Sequence, residues 1–340
     1  IYYGAEYLFA SDDRGDNWRK ISPNLTRQID RNKLKIAGRV WSVDSVAKYD
    51  STSRWGAAIA IAESSLVQGL LFVGTDDGVI NISEDNGENW TRVEKFPGLA
   101  EPTLVEDIFL SWHDADVAYA VFDNHKRGDY KPYVYKTDNR GKTWKLISNN
   151  LPERGSAHTI TGDHVDPDLL FVGTEFGLFF TQDGGGSWHK MTGNFPTIAV
   201  RDVDIQERES DLVVGTFGRS IYILDDYSPL RTDAGTLQGS EATLFPVKDA
   251  WSYIENDSNF DSNGAELFLS ENPPFGAVLS YYLRDGLKTT KQQRREKERK
   301  IELERGDTPY PSWDALRAED REQDPAVFVE IRDQAGTVVQ

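Results

Sequence analysis

The chain has 340 residues and carries 38 Lys and Arg against 56 Asp and Glu, a formal net charge of −18. A surface this acidic repels phosphate backbones, which argues against nucleic-acid binding. Cysteine is absent, which excludes disulfides, thiol catalysis and thiolate metal sites but is compatible with an exported bacterial protein.

No apolar run approaches the roughly 20 residues needed to cross a bilayer as a helix. The sequence begins at Ile1 inside what reads as a strand and closes after a hairpin at 331–340, so both ends are expected to be cut from a longer polypeptide.

In chain order, Tyr2-Tyr-Gly4 and Tyr7-Leu-Phe-Ala-Ser11 read as two strands. They lead into the turn Ser11-Asp-Asp-Arg-Gly-Asp-Asn-Trp18, and an outer strand follows it. The polar connection 24–54, which contains Trp41 and ends beside Trp55, reads as either a lid packed on a rim or a ligand loop. A second unit, 57–93, has an apolar innermost strand at 57–62 and repeats the turn as Ser83-Glu-Asp-Asn-Gly-Glu-Asn-Trp90. The third ends on Thr137-Asp-Asn-Arg-Gly-Lys-Thr-Trp144 and the fourth on Thr181-Gln-Asp-Gly-Gly-Gly-Ser-Trp188. A fifth unit, 200–224, has three strands and no such turn. The missing fourth strand is expected to be supplied by chain lying before Ile1, closing the ring.

The shared template is Ser/Thr-x-Asp/Asn-x-Gly-x-x-Trp. The Asp or Asn can accept bonds from nearby N–H groups. The Gly supplies a backbone angle other residues resist, and the Trp is a large apolar plug with one donor. Copies recurring between β-rich runs point to a repeat architecture. The structural set is Asp13, Gly15 and Trp18; Asp85, Gly87 and Trp90; Asn139, Gly141 and Trp144; and Asp183, Gly185 and Trp188. All four Trp are expected to be buried.

This pattern resembles the Asp-box, or BNR repeat, of sialidase-like and sortilin-like (VPS10-type) β-propellers, where it marks the hairpin between the third and fourth strands of a blade. Stretches such as Val73-Gly-Thr-Asp-Asp-Gly78, Val172-Gly-Thr-Glu-Phe-Gly177 and Asn272-Pro-Pro-Phe-Gly276 extend the likeness to a bacterial group of sortilin-like propellers. Members of that group are often labelled glycosyl hydrolases. The resemblance implies an all-β fold: part of a larger Asp-box propeller, followed by a partial immunoglobulin-like β-sandwich. It also implies a secreted, periplasmic or cell-surface bacterial location. The expected domains are a propeller at 1–231, a linker and packing strand at 232–264, and the sandwich at 265–340 with a charged helical insertion at 287–323. That insertion reads as a solvated helix or a docking site.

The turn between the second and third strands carries Glu6, Asp76 with Asp77, Asp123 and Glu175 in four units, and Arg219 in the last. Strand order places these turns at the end opposite the boxes. They read either as plain turn chemistry or as a negative rim for a cation, a basic peptide or a sugar. No sialidase-type Arg triad can be assembled from Arg39, Arg127, Arg201 and Arg219. His113, His125, His158, His164 and His189 show no ligand spacing and are expected at the surface. A Ca2+ ion held by Asp turns is compatible with the sequence, and no other cofactor is implied. The function favoured is binding or scaffolding of a protein or glycan partner at the cell exterior. The alternative is a glycoside hydrolase using paired carboxylates.

Overall fold

The computed structural model describes residues 1–48, 50, 55–254 and 275–339. The chain divides into two compact units, Ile1–Asp233 and Ala234–Gln340.

The first unit is built from consecutive antiparallel sheets. The opening sheet is β1 (Tyr2–Gly4), β2 (Leu8–Ala10) and β3 (Arg19–Lys20). Three four-stranded sheets follow: β4 (Ala58–Glu63), β5 (Leu71–Thr75), β6 (Ile80–Ser83) and β7 (Thr91–Val93); β8 (Leu104–Leu110), β9 (Ala118–Asp123), β10 (Tyr133–Thr137) and β11 (Lys145–Leu146); and β12 (Ala157–Gly162), β13 (Leu170–Thr174), β14 (Gly177–Thr181) and β15 (His189–Lys190). The last sheet is β16 (Val200–Gln206), β17 (Asp211–Thr216) and β18 (Ile221–Leu224). The first strands β4, β8, β12 and β16 pack side by side in succession, so each sheet is a blade with its first strand innermost. This is the β-propeller arrangement. The middle strands read as continuous apolar runs because they are covered on both faces: β5, β9 and β13 are buried along their whole length.

The repeated turns are built alike. In each, the Ser or Thr hydroxyl accepts from the Gly amide: Ser11 from Gly15, Ser83 from Gly87, Thr137 from Gly141 and Thr181 from Gly185, at 2.7 to 3.1 Å. The Asp or Asn at the third position accepts from the backbone four residues on, as in Asp183 Oδ1 from Ser187 N at 2.8 Å. The Gly has positive φ, as at Gly185 (95°). It is also where a blade meets the one before: a Cβ on Gly185 would lie 2.7 Å from Ile147 Cδ1, and one on Gly87 would lie 2.4 Å from Ile21 O. Trp188 Nε1 donates to Ile147 O at 2.8 Å, and Trp90 Nε1 to Ile21 O at 3.1 Å. The turn therefore clamps its own blade to the preceding one.

The expectation that all four Trp are buried holds for Trp144 and Trp188, at 7% and 3% exposure, and fails for Trp18 at 45%. Trp90 is intermediate. Among the described residues, the first turn lacks the cross-blade contacts of the others: a Cβ on Gly15 would meet only Trp18 itself, at 3.7 Å. The neighbour of Trp18 is the edge of Tyr3, 6.1 Å away between ring centroids.

Beyond the fifth blade, a 3-10 turn at Ser228–Arg231 stands where the other blades carry the box. Tyr227 and Arg231 reach back to the fully buried Asp163. The Arg231 guanidinium donates through Nε and Nη2 at 2.8 Å each, and Tyr227 donates its hydroxyl.

In the second unit, β19 (Ala242–Leu244) pairs antiparallel with β20 (Tyr281–Leu283). The charged insertion forms two helices, α2 (Thr290–Leu303) and α3 (Trp313–Arg321). Residues Thr289 and Gln292 make a reciprocal capping box on α2. Arg294 on α2 grips Glu319 on α3 through two bonds of 2.7 and 2.8 Å. Of the sandwich expected at 265–340, residues 265–274 lie outside the described residues. Residues 322–331 form no strand, and the closing hairpin makes one isolated bridge, Arg332 to Val338.

Candidate functional site: a cleft built on inner-strand bulges

The innermost strand of each of the last four blades carries a β-bulge at its second or third residue. In β4 the register skips between Ala58 and Ala60, in β8 between Val105 and Asp107, in β12 between Ala157 and Thr159, and in β16 between Val200 and Asp202. The extra residues are Ile59, Glu106, His158 and Arg201. A bulge leaves one residue outside the ladder and re-aims its side chain. Because the inner strands are neighbours, the side chains of Glu106, His158 and Arg201 on consecutive blades come together.

Arg201 Nη1 donates to His158 Nδ1 at 3.1 Å. His158 Nε2 donates to Glu175 Oε2 at 2.9 Å, and Arg201 Nη2 adds a 3.3 Å bond to the same oxygen. Glu106 Oε1 lies 3.8 Å from His158 Nδ1. Since a guanidinium can only donate, Nδ1 must accept and Nε2 carries the proton. His158 is buried, contrary to the surface position expected for it, while Glu175 stays part-exposed in the turn after β13.

The start of an inner strand lies at the same end of its blade as the turn between strands two and three. At that end a cavity of about 440 Å³ opens over this cluster. Tyr130 and Phe176 form apolar walls, 54% and 49% exposed. Phe176 stands over Gly155, where an added Cβ would come within 3.0 Å of its ring. Arg154, His125 and Ser156 complete the lining. Arg154 is exposed and has no hydrogen bond or ion pair among the described residues. The buried Ser156 hydroxyl closes no hydrogen bond of normal geometry, although it lies near enough to Asp123 to help hold that carboxyl low.

Of the turn residues singled out in the sequence, only Glu175 lines this cleft. Asp123 is buried beside it and bonded to the ring and backbone of His125. Burial pushes the Asp123 carboxyl up, and the His125 bonds outweigh it, leaving it below the usual aspartate range. Asp76 accepts from Gly56 N and Ala57 N at 3.0 and 2.8 Å, and burial raises its pKa. Asp77 is fully buried and accepts from Thr75 Oγ1 and Arg27 N at 2.6 and 2.7 Å. Glu6 lines a separate cavity with residues of the 24–55 connection, and Arg219 is exposed on the fifth blade.

Four of these turn carboxylates have defined partners within the chain. Asp76, Asp77, Asp123 and Glu175 are each matched by a backbone amide, a hydroxyl, a His or an Arg of the chain itself. No group of three His, Cys, Asp or Glu suited to a metal ion occurs among the described residues. The bulge residues were missed in the sequence because they share no side-chain type. The available signal was the alignment of the inner strands, which puts Ile59, Glu106, His158 and Arg201 in register.

Fold and cleft together define a β-propeller segment with a ligand-sized cleft at the end opposite its box turns. No protein-family model matches the sequence, and no curated protein does. Among solved structures, an ancestral GH74 enzyme is similar at 15% identity and TM-score 0.45, over 62% of this chain and 25% of that one. The GH74 xyloglucanase from Xanthomonas campestris is similar at 14% and 0.40, over 49% and 29%. YCF48 bound to a D1 peptide is similar at 14% and 0.38, over 50% and 51%. The chain spans about a quarter of the length of the GH74 enzymes it resembles.

Proposed function

We propose that the chain is a binding propeller, akin to the bacterial sortilin-like Asp-box proteins. In this reading it recognises a protein or glycan partner at the cell exterior, as a secreted, periplasmic or surface component. Recognition falls to the cleft lined by Tyr130, Arg154, Phe176 and Arg201. The observation that carries this is the division of labour within the cleft. His158, Glu175 and Arg201 are committed to one another and form a rigid floor, while the two aromatic walls and Arg154 face solvent uncommitted. Small-ligand sites combine apolar walls with a few placed polar groups in this way.

The alternative, a glycoside hydrolase, needs two carboxyl groups facing across a sugar bond. Glu106 and Glu175 are the carboxylates flanking His158 in this cluster. They approach its opposite ring nitrogens, so the imidazole fills the gap that a glycosidic bond would require.

The test is a panel of oligosaccharides and a random peptide library screened against the immobilised chain and its Phe176→Ala variant. At least one class should bind the wild type and weaken about tenfold or more in the variant, the scale of one lost anchor. Hits indifferent to Phe176 would contradict the reading. So would release of reducing sugar that stops in Glu106→Gln or Glu175→Gln.

A further inference from the structure

Resting on the cleft being the recognition site, we infer that its ligand is a carboxylate-bearing sugar, a uronate ring of a short acidic oligosaccharide. Three features of the cleft converge on that chemistry. The cavity of about 440 Å³ falls within the roughly 300–1,000 Å³ of small-ligand sites, the size of one or two pyranose rings.

Its walls, Tyr130 and Phe176, are each about half exposed and engage no other aromatic ring among the described residues. They offer flat apolar faces to the C–H face of a sugar. The polar complement is cationic and unspent. Arg154 has no hydrogen bond or ion pair among the described residues, in a chain of net charge −18, and a guanidinium binds a carboxylate through two parallel bonds.

Arg201 cannot take this part, because Glu175 and His158 already hold it. The backbone argues against an extended peptide. Gly155 N donates to Tyr130 O at 2.8 Å and Glu175 N to Ser156 O at 2.9 Å, so these cleft amides are not open for strand addition, the mode by which sheets capture extended chains. A ring ligand needs only the stacking faces and the side-chain donors that remain.

Calorimetry on the full chain with tetragalacturonate, its fully methyl-esterified form and a Glu/Gly peptide tests this. The acid sugar should bind about tenfold tighter than the ester, the order of one charge-assisted bond. Arg154→Met should erase that preference and leave the ester unchanged, while Phe176→Ala should weaken both sugars. Equal binding of acid and ester would overturn the inference while leaving the binding reading intact. So would binding of the peptide, or of a neutral glycan through Phe176, with no affinity for the uronate. Binding of none of the probes or panel members in the cleft would sink both.

Discussion

Arg201 and His158, each the extra residue of an inner-strand bulge on adjacent blades, are joined by a 3.1 Å bond that fixes the imidazole tautomer. A bulge ordinarily disturbs one strand pair. Here the same disturbance recurs blade after blade, so the displaced side chains fall next to one another and assemble a polar floor that no single blade could hold.

That floor makes a spectroscopic prediction. Nitrogen-15 NMR should show the His158 proton on Nε2, with Nδ1 accepting from Arg201. Glu175→Ala leaves that buried N–H without its acceptor and should reduce stability by about 1–3 kcal/mol. Glu175→Gln retains an acceptor and should lose less. A proton on Nδ1 would contradict the arrangement.

The box Trp residues separate by position. Trp188→Ala and Trp144→Ala empty buried sites and should each cost about 3–5 kcal/mol in thermal or chemical unfolding. Trp18→Ala should cost much less, since Trp18 is 45% exposed in this chain. Equal losses at all three positions would mean that the turn acts within its own blade and not as a clamp on the preceding one.

The Asp163–Arg231 latch predicts a pH dependence. Burial pushes the Asp163 carboxyl up, but the bonds from Arg231 and Tyr227 prevail and hold it below its ordinary value. A depressed folded-state pKa gives stability that is complete above the unfolded value, about 3.9 for aspartate. That stability is lost as pH falls through the folded value. Asp163→Asn removes one partner of a buried pair and should cost about 3–5 kcal/mol at pH 7. The gap between wild type and variant, measured by urea unfolding, should narrow below about pH 4. A gap that widens with acid would reverse the assignment.

Much of the fold was legible because it is written locally. The box template needs its Ser or Thr, Asp or Asn, Gly and Trp within eight positions, and each blade repeats it or its strand pattern. Trp18 broke the pattern because burial of a box Trp depends on the neighbouring blade, which the motif does not encode. The site was less legible. Glu175 was found through its turn, but His158 and Arg201 were not, since a bulge is a register event between strands and its residues here are of different types. Asp163 and Arg231 are 68 residues apart, and nothing local ties them. Asp76 and Asp77 were legible as turn carboxylates, but the bond to Asp77 from Arg27 N, 50 residues away, was not.

The most direct test of the central claim, that recognition occurs in the bulge-built cleft, is hydrogen–deuterium exchange of the full chain with and without a bound panel ligand. Protection should concentrate in residues 125–130, 154–158 and 175–177 and around Arg201. Protection centred instead on the box turns at the opposite end, such as 182–188, would contradict the account.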